Sequence, residues 1–170
     1  MEIERKWLIR KDKIPFDISS CEKMHMDQAY VSFRPTIRVR DIDHGNRFIL
    51  TVKTAVTGSD PELSRNEYET EITGEEFREL MKLARGQTVS KTRYIKNAEN
   101  GLKYEIDVFE GRLSGLAYLE IEFPDERSAS AFPDPDWTEC DVTYRPEYKN
   151  AALAKYGMPV SEKGKENQNG

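Results

Sequence analysis

Cysteine and histidine are nearly missing: two of each stand in 170 residues. Cys21 and Cys140 lie far apart, and neither His25 nor His44 sits near them in a ligand pattern. That spacing gives neither a disulfide framework nor a zinc motif. A long apolar run is missing too. No segment approaches the roughly 18 apolar residues of a membrane span. The chain is charged from residue 2, without the apolar stretch of a secretory leader. No membrane association and a cytoplasmic location are therefore expected. A basic surplus is the third absence. The formal net charge is −5, which leaves no electrostatic footprint for duplex nucleic acid. A local basic pocket is still compatible with that sum.

Charge itself is abundant. Asp, Glu, Lys and Arg make up 34% of the chain, against about a quarter in ordinary globular domains. Seven Phe, eight Tyr and two Trp argue against global disorder. The length suits one domain with a full core. A folded body over 1–158 is expected, followed by a disordered tail over 159–170, because "SEKGKENQNG" has no apolar anchor.

The opening "MEIERKWLIR" poses the question of where the charges sit. As a helix it would hold an ordinary Glu2–Lys6 pair four residues apart. As a strand it would line up Glu2, Glu4 and Lys6 on one face. By itself the segment favours the helix. The rest of the chain favours the strand, because alternation recurs throughout. "TIRVRDI" sets Arg38 and Arg40 against Ile37 and Val39. "RFILTVKT" sets Thr51 and Lys53 against Leu50 and Val52. "RNEYETEIT" lines up Arg65, Glu67, Glu69 and Glu71. "SKTRYIK" puts Lys91 and Arg93 in step. "LKYEIDVF" sets Lys103, Glu105 and Asp107 against an apolar face, and "AYLEIEFP" does the same with Glu120 and Glu122.

Helix signals are fewer. "TGEEFRELMKLARG" offers Thr73 and Glu76 as a capping box and Gly86 as the stop. "PDERSASAF" suggests a short helix begun by Asp125. "RPEYKNAALAKYG" suggests one helix with Pro146 near its start and Gly157 at its end. Turns are expected at "DIDHGNR" and "NAENGLK", and a longer loop at "TAVTGSDPELSR".

The chain is thus mainly β and antiparallel, with a few covering helices. An open sheet with one solvated charged face is the plain reading. Yet Glu, Lys and Arg are poor strand formers, and acidic and basic strands are segregated along the chain. A closed barrel of about eight strands with a wet, charged interior accounts for both facts. Facing carboxylates suit a hard divalent cation. Clustered Arg and Lys suit phosphate oxygens. Together they point to phosphoryl transfer.

"EIERK" resembles the Glu-x-Glu-x-Lys signature of the CYTH family, the triphosphate tunnel metalloenzymes. The order of "QAYVS", "IRVR", "TVK", "NEYETEI", "KTRY", "YEIDVF", "YLEIEF" and "YKNAALA" strengthens the likeness over residues 1 to about 157, and it is greatest to short bacterial members. The resemblance implies an eight-stranded antiparallel β-barrel tunnel threaded by a triphosphate. It implies that Lys6, Arg38, Arg40, Lys53, Lys91 and Arg93 hold phosphates. Glu2, Glu4, Glu120 and Glu122 would hold Mg²⁺ or Mn²⁺. Glu67 or Glu69 would complete a second metal site or orient the attacking water, and Tyr30 would act in catalysis with Lys91. Each residue also has a plainer reading: solvated strand charges for the ionised groups, a core aromatic for Tyr30. Glu105 and Asp107 read as supporting partners. His25 and His44 read as surface residues without a role.

A divalent-metal-dependent triphosphatase acting on a small-molecule triphosphate, inorganic tripolyphosphate above others, is the expected activity. A class IV-type adenylyl cyclase would use the same tunnel, and a non-catalytic polyphosphate-binding module is the third possibility. The sequence leaves the oligomeric state open.

Overall fold

A computed structural model describes residues 2–55, 64–98 and 101–159. Residues 160–170 of the expected tail and most of the long loop after residue 55 lie outside the described residues, as do residues 99 and 100 of the "NAENGLK" turn.

Alternation of apolar and charged residues yields strands throughout. They are β1 (Glu2–Leu8), β2 (Glu22–Phe33), β3 (Thr36–Ile42), β4 (Arg47–Ala55), β5 (Ser64–Ile72), β6 (Arg85–Asn97), β7 (Lys103–Phe109), β8 (Ala117–Glu122) and the two-residue β9 (Cys140–Asp141). The sheet order is β5-β4-β3-β2-β6-β7-β8-β1, and β1 pairs back to β5, so eight strands close into a barrel. Every pairing is antiparallel. β1 divides its free edge. Glu2 and Ile3 pair with Arg65 and Ser64 of β5, while Trp7 and Leu8 pair with Asp141 and Cys140 of β9. The opening segment is therefore a strand.

The barrel is apolar outside and charged inside over much of its wall. On the outer face of β1, β7 and β8, Ile3, Trp7, Ile106, Leu119 and Ile121 form a core completed by Phe16, Phe132 and Trp137. This core is covered by α2 (Glu126–Ala131), whose N-cap Asp125 accepts the Ser128 N–H at 2.7 Å. Arg5 lies on the same outer face. Its guanidinium binds Asp134 and Asp141 and donates to the carbonyls of Ala129 and Phe132, tying α2 and β9 to β1. A second core joins Tyr30, Phe109, Leu113, Tyr118 and Tyr148 to α3 (Asn150–Tyr156). A small third cluster of Met26, Ile42 and Ile49 sits beside the β3–β4 turn.

Two helix expectations need correction. α1 (Gly74–Met81) has the expected capping box of Thr73 and Glu76, but it ends well before Gly86. Gly86 is the second residue of β6, with φ +74°, and a Cβ there would lie 2.6 Å from the Ala154 carbonyl oxygen. Its role is close approach of a strand to α3 rather than helix termination. The closing helix is also broken. Pro146–Tyr148 forms a 3₁₀ turn, Lys149 is extended, and α3 begins only at Asn150. Gly157 does stop it, at φ +85°.

Candidate active site

In an antiparallel pair, opposed residues share a face. The register therefore gathers the charged sets of neighbouring strands into one interior. Glu4 faces Glu122, and Lys6 faces Glu120. Lys53 faces Glu67, and Thr51 faces both Arg38 and Glu69. Arg93 faces Asp107, and Glu105 faces Glu120. The result is a cavity of about 710 Å³, within the usual range for small-molecule sites.

The site residues implied by the resemblance all line that cavity: Glu2, Glu4, Lys6, Tyr30, Arg38, Arg40, Lys53, Glu67, Glu69, Lys91, Arg93, Glu120 and Glu122. Arg65 and Glu105 join them, as do Arg34, Lys149 and Asn150. Strand alternation could not flag the last three. Arg34 stands in the β2–β3 turn, Lys149 is the extended residue before α3, and Asn150 begins that helix. Glu71 and Lys103 share the charged parity but are exposed, and neither lines the cavity; Glu71 meets Arg47 at 3.4 Å instead. Both sit at strand ends, where the interior opens to solvent.

The lining groups engage one another. Lys53 lies 2.6 Å from Glu2 and 3.0 Å from Glu67. Arg40 pairs with Glu69, and Arg38 approaches Glu67 at 3.4 Å. Lys6 lies 2.8 Å from Glu120 and 3.8 Å from Glu4. Arg93 holds Glu105, Asp107 and Glu120 together. Asp107 also fixes the Lys91 ammonium, and both are buried. Tyr30 is buried with its oxygen 3.2 Å from the Gln28 amide nitrogen.

Protonation separates these groups. Burial acts against the Glu120 charge, but Lys6, Arg93 and Lys91 outweigh it and hold its pKa far below the ordinary value. Glu4 goes the other way: burial raises its pKa, and the Glu120 charge adds to the rise. Glu122 is raised by burial and then by Glu2, Glu4 and Glu67. So Glu4 and Glu122 form a carboxylate-rich corner short of positive charge, as a divalent cation requires. Among the cations, burial and the neighbouring Arg38 charge lower the Arg40 pKa to about 10. Nε of Arg38 and Nε of Arg40 are buried without a hydrogen-bond partner among the described residues. Buried guanidinium donors left open beside each other fit an anion with several oxygens. The residues present therefore fit both a polyanion and a hard divalent metal.

A closed antiparallel barrel that turns its ionised groups inward around one polar cavity defines the class. The sequence comparisons agree: the CYTH domain model matches residues 1–132. The chain belongs to the CYTH domain family. It is 37% identical over 155 residues to an inorganic triphosphatase of Nitrosomonas europaea, covering 90% of this chain and 96% of the relative. It is 36% identical to an inorganic triphosphatase of Acetivibrio thermocellus, covering 91% and 93% respectively. The crystal structure of the inorganic triphosphatase NE1496 superimposes with a TM-score of 0.63 at 33% identity, over 90% of this chain and 97% of that one.

Proposed function

We propose that the protein is a divalent-metal-dependent hydrolase that removes the terminal phosphoryl group of inorganic tripolyphosphate. The observation that carries this reading is the pairing, in one cavity, of open Arg38 and Arg40 donors with the under-compensated Glu4–Glu122 corner. Among the described residues, nine basic and seven acidic side chains line the cavity. That small surplus does not balance a triphosphate, so a metal cation has to enter with it. That two relatives are inorganic triphosphatases supports tripolyphosphate rather than a nucleotide as the substrate of this chain.

Lys6, Arg38, Arg40, Lys53, Lys91 and Arg93 hold the phosphate oxygens. Glu2, Glu4, Glu67, Glu120 and Glu122 would hold Mg²⁺ or Mn²⁺, which when bound would polarise the phosphoryl group and neutralise its charge. Ion pairs such as Lys53–Glu2 and Lys6–Glu120 act as placeholders. A bound polyanion would take the lysines and free Glu2 and Glu120 as oxygen donors.

In hydrolysis the water oxygen bonds to the terminal phosphorus. The bridging P–O bond breaks, pyrophosphate leaves, and the water proton passes to a carboxylate or to solvent. Glu69, at the exposed edge of the cavity, orients that water. Lys91 is fixed by Asp107 at the buried end. Tyr30 accepts a hydrogen bond from Gln28, which leaves its own hydroxyl proton available to the leaving group. Burial raises the Tyr30 pKa, so the phenol stays protonated and serves the leaving oxygen as a hydrogen-bond donor rather than by giving up its proton. The test is phosphate release from tripolyphosphate, thiamine triphosphate and ATP, each with Mg²⁺ or Mn²⁺, with cyclic AMP measured in the ATP arm. Tripolyphosphate is expected to be hydrolysed fastest. Cyclic AMP as the main product would make the enzyme a cyclase, and binding without turnover under either metal would make it a binding module.

A further inference from the structure

The two histidines of this chain come together, although 18 residues separate His25 from the turn residue Asp43 that holds its backbone. His25 lies on β2, and His44 stands in the β3–β4 turn. Their rings stack with centroids 4.3 Å apart and planes 21° apart. His25 and Asp27 alternate with Met24, Met26 and Gln28; Met26 is buried in the small apolar cluster, so the histidine face looks away from the barrel interior. One nitrogen from each histidine and one Asp27 oxygen all lie within 4.8 Å of one another.

We propose that His25, Asp27 and His44 form a second metal site, outside the charged cavity, for a borderline transition ion such as Zn²⁺, Co²⁺ or Ni²⁺. The donor set carries the choice of metal. Two imidazoles and one carboxylate suit those ions, whereas the all-carboxylate interior suits Mg²⁺ or Mn²⁺. Bonds of about 2.0–2.2 Å place two ligands of one ion no more than about 4.4 Å apart. The atoms observed lie within 4.8 Å of one another, so a shift of at most a fraction of an ångström brings all three inside that limit.

The surroundings are built as metal ligands need. His25 Nε2 lies 3.2 Å from Asp27 Oδ2, so both point at the same spot. The other His25 nitrogen, Nδ1, lies 3.6 Å from Glu110 Oε1. Glu110 Oε1 in turn accepts from Thr92 Oγ1 at 2.6 Å. Glu110 thus stands behind the ring, within a small approach of the hydrogen bond by which a carboxylate orients a ligating histidine. Asp27 is steadied through its other oxygen by Ser90 Oγ. His44 is placed by the turn. Asp43 and His44 both adopt left-handed backbone, at φ 50° and 56°, which non-glycine residues seldom do. Asp43 also accepts the His25 backbone N–H at 2.8 Å, pinning the turn to β2. Consecutive positive φ values are what a tight hairpin turn between Ile42 and Arg47 calls for. An ion must lie near the plane of each ring, so binding unstacks the pair. His44 is exposed and is the ring that turns.

This site is independent of the triphosphatase reading and is tested without an activity assay. The chain has only two histidines, so ring ¹⁵N resonances report on this site alone. Chelator-stripped protein in excess Mg²⁺ is titrated with Zn²⁺ and followed by imidazole NMR and calorimetry. Both rings are expected to shift together and saturate at one equivalent. His44→Asn, which keeps the left-handed turn, should weaken that event at least tenfold and leave the thermal transition of the metal-free protein unchanged. Asp27→Asn should weaken it similarly, and Glu110→Gln about tenfold. The proposal is overturned if Zn²⁺ binds while the rings stay unmoved, if no Zn²⁺ binds, or if His44→Asn binds with unchanged affinity. In each of those outcomes the stacked pair is only a packing contact.

Discussion

Glu4 and Glu122 stand directly opposite each other across the β1–β8 ladder, one alternation away from the opposed Lys6 and Glu120. The second pair compensates itself at 2.8 Å. The first is two like charges in a partly dry interior, and both pKa values are raised, first by burial and then by neighbouring carboxylates. Like charges placed opposite on a sheet destabilise it. Retaining such a pair makes sense only if something positive is to bind there.

The first prediction follows from that opposition. A carboxylate whose folded pKa is raised binds more protons in the folded than in the unfolded state. Its contribution to stability therefore falls as pH rises from the ordinary glutamate value of 4.5 through the higher folded one. Glu120 has the opposite sign: its contribution is present above the ordinary value and fades as pH drops toward its low folded pKa. Glu4→Gln and Glu122→Gln should remove the decline, so metal-free melts of the variants are expected to show equal or higher stability near neutral pH. Both should lose about 100-fold or more in phosphate release, because metal polarisation supplies several kcal/mol. A variant that melts lower in the absence of metal would contradict the like-charge account.

Arg5 is the counterpart on the outer wall. It alternates with Glu4 and Lys6 yet serves structure, binding Asp134, Asp141 and two carbonyls. Arg5→Ala would leave those acceptors without their donor and is expected to cost about 2–3 kcal/mol. Urea unfolding at neutral pH measures it. Lysine should rescue little, since it lacks the planar fork. Substrate affinity of whatever fraction stays folded should be unchanged, because Arg5 does not line the cavity.

Gly86→Ala tests the packing of α3 against β6. The added Cβ would meet the Ala154 carbonyl oxygen at 2.6 Å, on backbone that a side chain disfavours. A loss of about 1–3 kcal/mol is expected. Because Lys149 and Asn150 reach the cavity from the start of the same segment, the Michaelis constant should rise along with the loss of stability. A change in stability alone would show that the cavity edge does not depend on α3.

Strand alternation made the barrel legible from the sequence, because period two places each ionised group on a definite face and a closed sheet turns that face inward. It identified the charged wall from Glu2 through Glu122. It could not identify Arg34, Lys149 or Asn150, which reach the cavity from a turn and a helix start where no period applies. Gly86 looked like a helix stop because a glycine ten residues after a capping box usually is one. Its contact with Ala154 joins segments far apart in the chain. The meeting of His25 and His44 was hidden for a related reason. It depends on two left-handed turn residues, and composition does not reveal that conformation. Parity likewise failed at Glu71 and Lys103, since it gives the face of a strand but not whether the barrel wall continues there.

The last prediction concerns Arg38 and Arg40, whose Nε donors are open. Burial and the adjacent Arg38 charge already pull the Arg40 pKa down to about 10. The two guanidinium groups thus repel each other until an anion arrives, and part of the substrate's binding energy is the relief of that repulsion. Arg40→Met should therefore raise the Michaelis constant for tripolyphosphate about tenfold or more. It should leave the metal-free protein about as stable as before, because its partner Glu69 is exposed and can be solvated. Arg40→Lys restores the charge but not the fork, and should recover only part of the affinity. Steady-state kinetics at two salt concentrations, beside thermal melts of the same variants, separate the two effects. If Arg40→Met instead unfolded the protein while sparing the Michaelis constant, Arg40 would be a structural cation, and the phosphate-binding role would rest on Arg38 and the lysines.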